Sequence, residues 1–480
     1  NYFSYRFEVF VGLTYMPLFY KGKYTIGDWW YDFTGGVKPN DVDYNFNRAI
    51  NTFRNYSVLP YTYKKFWDGN IWYLDAMNAS GLEGWATQNA ISFGMNGEVR
   101  SSFLDNRVEI GMGRNDHEWA AMDDGSSLVI NNMAHPFLAA DIAFRPFKWI
   151  AFSALTGALE FPNQGYITEQ AYRRPDSYEW YRDSYLYQNA FSIAMLDLDF
   201  KYFHFDFGSA CVWPKRFELG YAFPFIDNVI VQDTIGDYDN LCLFGDLMFR
   251  QPGIWKAWIS GYLDEMPKPD PRIMFMKQRY MFALQGGAEV VLPFLPFTTL
   301  SFRYTKVEPY CYTHHAVKNT PWYNDYLCEP YTNNGECIGY YLPPNSDEFH
   351  IRLESKPLVN LSAILQYQLI RHGADYGSRQ VPGSSLYSEL QKENRDDLNK
   401  YFLKDGCYEW SNIVTLSGIY DFGHMGCPVK LNFTLGYVYD FFTDTNAAIG
   451  TEGNFSVIDN AEYPSSSGIV ASIGFTIFAR

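Results

Sequence analysis

Residues 430–441 alternate with almost no error: Leu431, Phe433, Leu435, Tyr437, Tyr439 and Phe441 fall on one face, while Lys430, Asn432, Thr434, Gly436 and Asp440 fall on the other. A period of two is the mark of a strand. A soluble sheet also alternates, yet it seldom carries a large apolar or aromatic residue at every outward step. A tilted strand crosses a hydrocarbon layer in roughly 9–11 residues, so this segment is long enough to do so. Lipid on one side and a wet lumen on the other account for such a pattern.

The same alternation recurs along the chain. Tyr5, Phe7, Val9, Val11, Leu13 and Tyr15 share a face, and Val108, Ile110 and Met112 alternate with Arg107 and Glu109. Leu241, Leu243, Leu247 and Phe249 alternate with Asp246 and Arg250. Val359, Leu361, Ala363, Leu365, Tyr367 and Leu369 alternate with Asn360, Ser362, Gln366 and Gln368, and Ile469 to Ile477 repeats the pattern near the C-terminus. Residues 196–202 read as a further strand with Asp197, Asp199 and Lys201 inward. A tight turn at 145–148 is expected to join strands 139–144 and 150–158. The expectation is an all-β fold, an antiparallel transmembrane β-barrel of about 16–18 strands with long extracellular loops. The long loops fall at 40–80, 165–185, 309–347 and 373–404, with short helices expected in 166–187 and 386–403. No linker, low-complexity tract or fixed-period repeat breaks residues 1–480, and one barrel domain is the simplest organisation.

Composition agrees. The chain holds 39 Tyr, 39 Phe and 13 Trp, 19% aromatic in all, which suits aromatic girdles at two membrane interfaces. Mean hydropathy is only −0.26, and no apolar run approaches the roughly 18 residues of a membrane helix. A barrel reconciles these facts, because only alternate residues face lipid. The net charge of −16 argues against nucleic acid, which selects a basic stripe. The chain opens at Asn1 without Met or an apolar leader, as expected of a mature chain whose signal peptide is gone. It ends Phe478-Ala479-Arg480 instead of on the aromatic residue that many such barrels carry.

Catalysis finds no positive sign: there is no nucleophile elbow, His-Glu-x-x-His, P-loop or Cys-x-x-Cys, and no cofactor is expected. The densest polar segment is 113–119. Arg114, Asp116, His117, Glu118 and Trp119 together offer charge-assisted bonds to sugar hydroxyls and an indole to stack on a pyranose ring. A lumen-facing polar network is the plainer account of the same residues. His135, before Pro136, reads as a turn residue more readily than as a ligand. Asp237, Asp239 and Asn240 are candidate oxygen ligands for a hard cation such as calcium, although Leu241 and Cys242 break the EF-hand spacing and a solvated turn is the simpler reading. Seven cysteines include Cys311, Cys328 and Cys337 in one loop, candidates for a disulfide that pins it. With His314 and His315 they offer zinc-ligand chemistry, but adjacent histidines point apart and the disulfide is favoured. No metal is expected.

The order of segments carries a resemblance. Val108-Glu109-Ile110-Gly111-Met112-Gly113-Arg114 leads through His117-Glu118-Trp119 and Ser126-Ser127-Leu128-Val129-Ile130 to Ala134-His135-Pro136. Glu218-Leu219-Gly220-Tyr221, Pro224-Phe225, Gln232, residues 236–240 and Tyr262-Leu263-Asp264-Glu265 follow. Over residues 105–270 this resembles the Wzi family of capsule-assembly barrels. The resemblance implies an 18-stranded, plugged barrel in the bacterial outer membrane that retains surface polysaccharide at its outer mouth. The family's early helical cap and a counterpart of the 311–337 cysteine loop are not found here. Three functions compete: a glycan-binding or glycan-anchoring barrel, a porin or transporter for small solutes, and a structural protein contacting other envelope proteins. The partners expected are membrane lipid, surface polysaccharide and other envelope proteins. A soluble aromatic-rich β protein would lack the continuous outward apolar band.

Overall fold

The computed structural model describes residues 2–20, 31–32, 36–37, 70–75, 85–134, 136–159, 184–185, 189–214, 216, 218–222, 227–236, 238–314, 326–327, 329–333, 336–375, 377–386, 398–460, 462–463 and 465–479. Sixteen strands make a closed wall. In chain order they are β1 (Tyr2–Tyr20), β2 (Trp85–Phe103), β3 (Val108–Asn115), β4 (Phe137–Phe147), β5 (Ile150–Ala158), β6 (Asn189–Asp199), β7 (Phe203–Pro214) and β8 (Asn240–Gln251). They continue as β9 (Trp255–Glu265), β10 (Met281–Val291), β11 (Thr298–Val307), β12 (Ser346–Leu358), β13 (Leu361–Gly373), β14 (Cys407–Asp421), β15 (Val429–Asp444) and β16 (Ser466–Ala479).

Each strand pairs antiparallel with the next, and β1 pairs on one side with β2 and on the other with β16. Val9, for example, sits opposite Met95 and Ile477. Closure leaves no strand edge to be satisfied by absent water. Two short strands, Asn70–Asp75 beside β2 and Ser456–Ile458 beside β15, bring the sheet to 18 strands. They are additions at one rim: β2 pairs with β3 over Gly97–Phe103 and with Asn70–Asp75 only beyond that, at Asn89–Phe93. The barrel proper has sixteen staves, not the eighteen that the resemblance implied.

One rim carries only short turns, such as 148–149, 200–202, 252–254 and 359–360, while the other carries the long connections 116–136, 215–239, 308–345 and 374–406. That asymmetry orients an outer-membrane barrel, with short turns toward the periplasm and long loops outside. The turn expected at 145–148 is shifted. β4 runs on to Phe147 because Arg145 N–H still bonds Arg107 O at 2.7 Å, with a bulge between Phe144 and Phe147. Lys201 falls in the turn after β6 instead of on its inner face. The helices expected in 166–187 and 386–403 fall mainly outside the described residues. A helix that the alternation did not reveal, α1 (Asn228–Ile235), is capped by Asp227, whose side chain accepts from Val229 N–H.

The outward face is the apolar one. In β15 Leu435, Tyr437 and Tyr439 are exposed, whereas Asn432, Thr434 and Asp440 on the opposite face are buried. Phe7, Leu13, Ile110, Met112, Phe207, Phe302, Ile351, Leu365, Leu416 and Phe475 extend the band around the wall. Aromatic rings mark its limits: Phe147, Trp149 and Phe200 stack at 5.7 and 5.5 Å on the short-turn rim, and Trp410 stacks on Phe441 at 5.6 Å near the other. No helix among the described residues is long and apolar enough to cross a membrane; the strands do the crossing.

Ile259, 62% exposed at the middle of β9, tests the band. Replacing Ile259 with Arg is expected to lower folding stability in vesicles by about 2–4 kcal/mol, the cost of a midplane cation. Urea titration of the lipid-folded protein reads the change, and a loss below about 1 kcal/mol would take Ile259 out of the hydrocarbon.

Candidate functional site

Inside the wall, the segment 116–136 between β3 and β4 folds down into the lumen instead of outward. Its shape comes from local side-chain to backbone bonds. Ser127 Oγ donates to Trp119 O at 2.6 Å and accepts from Val129 and Ile130 N–H at 3.2 and 3.1 Å. Asn131 Nδ2 donates to Gly125 and Ser127 carbonyls, while its Oδ1 accepts from Met133 N–H. Leu128, Val129 and Ile130 are almost wholly buried.

The described residues of a second connection, 308–345 between β11 and β12, lock onto the first. Tyr312 Oη donates to Leu128 O and Tyr331 Oη to Val129 O, both at 2.7 Å, and Asn131 N–H donates to Ile338 O at 2.8 Å. Tyr262 of β9 packs on Tyr312 at 4.6 Å, and Phe191 of β6 meets Tyr331 edge-on at 5.7 Å. Gly339 permits the closest approach: a Cβ there would stand 2.8 Å from Leu128 O and 2.5 Å from the Tyr312 ring.

The wall then holds this plug by charge and amide. Gln285 Nε2 donates to Ser126 O at 2.9 Å, Lys256 Nζ to Met122 O at 2.9 Å, and Arg303 Nη1 to Asp124 O at 3.3 Å. Arg352 pairs with Asp124 at 3.0 Å and Glu354 at 2.7 Å. The tip reaches far down, for Met122 is buried against Met248 and Trp258 near the short-turn rim. Burial raises the Asp123 carboxyl, but Lys256, Arg303 and Arg352 outweigh it and hold the group below the usual carboxylate range. Tyr340 and Tyr341 of the plug both donate to Glu348 of β12, which also accepts from Gln368 Nε2 at 2.8 Å. Buried charges here are paired, as low dielectric demands.

Beside the plug a cavity of about 410 Å³ runs along β12, β13 and β14, a size in the ~300–1,000 Å³ range of ligand pockets. Arg352, Glu354, Lys356, Gln366 and Ser417 line its wall side, and Asp116 and Asp124 its plug side. The cavity lies toward the short-turn ends of these strands, on the periplasmic side.

The five residues singled out at 114–119 are not gathered into one face. Arg114 bonds Met95 O and Asn96 Oδ1 on the wall. His117 is buried, its ring 4.6 Å from Phe137 and its Nε2 3.2 Å from Phe137 O. Glu118 accepts from Asn132 at 2.9 Å, and Trp119 packs against the plug core. Asp116 alone lines the cavity. Of the candidate cation ligands, Asp237 lies outside the described residues. Asp239 already holds a cation, the Arg216 guanidinium on both oxygens, and accepts from Tyr221 Oη. Asn240 donates its amide to Glu329 O at 2.8 Å.

The disulfide expectation is corrected in part: Cys311 and Cys337 are free, buried thiols, and Cys328 lies outside the described residues, as do His135 and His315. The loop is held by phenol-to-carbonyl bonds and packing in place of a bridge. Sequence reasoning missed the plug anchors Lys256, Gln285 and Arg303, inward members of ordinary alternating strands. It did place 309–347, as a long outer loop.

No family model matches the chain, and no curated protein matches it. Among solved structures it is similar to Wzi, described as an outer-membrane carbohydrate-binding β-barrel involved in group 1 capsule assembly in Escherichia coli. That similarity has a TM-score of 0.46 at 11% identity over 95% of this chain and 83% of that one. It is also similar to Pseudomonas aeruginosa OpdK, solved with vanillate (TM-score 0.41, 10% identity, 99% of both chains). Pseudomonas aeruginosa OccK5 follows (TM-score 0.39, 10% identity, 99% of this chain and 98% of that one). None of these likenesses says what the chain does.

Two outcomes test the plug. Gly339→Ala is expected to cost about 1–3 kcal/mol through overpacking, read as faster proteolysis of 308–345 in the intact barrel. The second concerns pH: burial pushes His117 down from 6.5 to about 4. With the folded value lowered, neutral His117 is favoured in the folded state, so stability is full above pH ~6.5 and falls as pH drops toward 4. The loss attributable to this ring is about 2–3 kcal/mol, and His117→Gln removes that part of the pH dependence in urea titrations.

Proposed function

We propose that this chain is a sealed, non-enzymatic outer-membrane barrel that holds polysaccharide at the cell surface and does not conduct solutes. The observation carrying the reading is the plug. Two segments from the outer side fill the lumen, and one reaches almost to the inner rim, tied there by Lys256 and packed on Met248 and Trp258. A barrel stopped along its depth does its work on its surfaces. The resemblance of the motif order over 105–270 to the Wzi family, and the aromatic-rich outer connections, favour glycan as the surface ligand.

A second reading, a transporter for small solutes, draws on the cavity along β12–β14. Its mixed guanidinium, ammonium, carboxylate and amide lining would suit a small polar solute held beside the plug.

Single-channel recording in planar bilayers separates the two. The folded protein is expected to insert without discrete conductance steps, and replacing 120–131 by a short Gly-Ser link should open it. Reproducible steps from the unaltered protein would replace the sealed reading with the transporter. Binding of cell-surface polysaccharide to the purified barrel is expected as well, and its absence would remove the glycan role while leaving the sealed barrel standing.

A further inference from the structure

Three aspartates stand side by side on the inner wall near the periplasmic rim. Asp197 of β6 is in register with Asp206 of β7, Asp206 with Asp246 of β8, and Asp246 with Ser260 of β9. Directly opposed like charges destabilise a sheet, so a row of three calls for a counterion. The imidazole of His204, one row below, faces them: its Nε2 is 3.0 Å from Asp206 Oδ2, and its Nδ1 is 3.2 Å from Asp199 Oδ1.

Asp199 is occupied by Arg250, and the nearby Arg145 is bonded to Glu109 at 2.6 Å. Among the described residues no Lys or Arg forms an ion pair with Asp206 or Asp246. Asp206 is 3% exposed, and its Oδ1 has no hydrogen-bond partner, a costly state for a buried carboxylate. One ligand atom from each of Asp197, His204 and Asp206 lies within 4.8 Å of the others. Such spacing suits donors that share one ion at bond lengths of ~2.0–2.2 Å.

We infer that Asp197, His204 and Asp206, with Asp246 beside them, form a divalent transition-metal site in the barrel wall. The mixed nitrogen and oxygen donors select a borderline ion such as Zn²⁺ over Ca²⁺ or Mg²⁺, which prefer oxygen alone. The ring meets the carboxylates from both nitrogens, Nε2 toward Asp206 and Nδ1 toward Asp197 at 3.8 Å and Asp199 at 3.2 Å, so one nitrogen can ligate while a carboxylate on the other holds the ring. The ion cross-links β6 to β7 and offsets the charge of the aspartate row, and it stabilises the folded barrel by an amount that grows with the logarithm of free ion over its Kd. This inference is independent of whether the barrel holds glycan or passes solutes.

The test is calorimetric titration of ZnCl₂ into the tag-free, EDTA-treated and re-exchanged barrel in detergent. One Zn²⁺ per chain is expected, undisturbed by excess Mg²⁺ or Ca²⁺, with a rise in the urea midpoint. Binding should weaken at least tenfold in Asp206→Asn and in His204→Gln, with heat-dependent gel mobility confirming that each variant is a folded barrel. Wild-type protein that takes up no stoichiometric Zn²⁺, or folded variants that bind like wild type, would overturn the site. Should a variant fail to fold, X-ray absorption of the zinc-loaded wild type decides. One imidazole nitrogen among oxygen donors sustains the inference, and a shell without histidine ends it.

Discussion

Everything in this molecule depends on one pairing, that of β1 with β16. Hydrocarbon offers no partner for a strand's N–H and C=O groups, so a sheet that crosses it must leave none over. The twelve-step register from Phe7–Ala479 to Tyr20–Ser466 supplies the last ladder and turns a sheet into a tube. Closure also settles which face is which. Once lipid surrounds the wall, the apolar members of each alternating strand face out, and polar and charged side chains are left pointing at one another across a lumen. Sixteen strands enclose more space than wall side chains alone can fill.

The plug is the answer to that inward polarity. Its backbone, full of unmet donors and acceptors where it turns, is matched to wall groups that themselves need partners: Lys256 and Arg303 to carbonyls, Arg352 to Asp124, and Glu348 to two phenols. Removing either member of such a pair leaves a buried charge alone, at a cost greater than the pair's own net contribution. The lumen is therefore organised by mutual need, with Leu128, Val129, Ile130 and the tyrosine cluster supplying the dry centre.

The wall was legible in the amino-acid pattern because a lipid-facing strand is read by its own residues. The alternation at 430–441 names its faces as the structure has them, and the strand count fell within range. The eighteen strands of the resemblance and the turn at 145–148 missed for a shared reason, that rim strands and bulges depend on neighbours' backbones. The plug was harder to see. Residues 128–130 look like one more short apolar run, and only their burial against a segment far away in the chain makes them part of a plug. The 114–119 cluster scattered for a similar cause. Its polar groups found separate partners in Asn96, Asn132 and Phe137 once the chain left the plane of the wall. Spacing along a chain does not report such a departure. The lone thiols of Cys311 and Cys337 belong to the same lesson, since proximity in sequence gives no pairing where packing already holds the loop.

The plug's two halves are far apart in the order of synthesis. Tyr331 and Val129, joined by one hydrogen bond, are separated by 202 positions, and Tyr312 and Leu128 by 184. Neither half has its partner until the intervening strands β4 to β11 are in place. Segment 116–136 is thus separated from its partner segment by eight wall strands. Non-local contacts of this kind are formed late and slowly, because loop-closure entropy is met before they return any energy. In such a chain the lumenal contacts are expected to form after the wall strands that carry them.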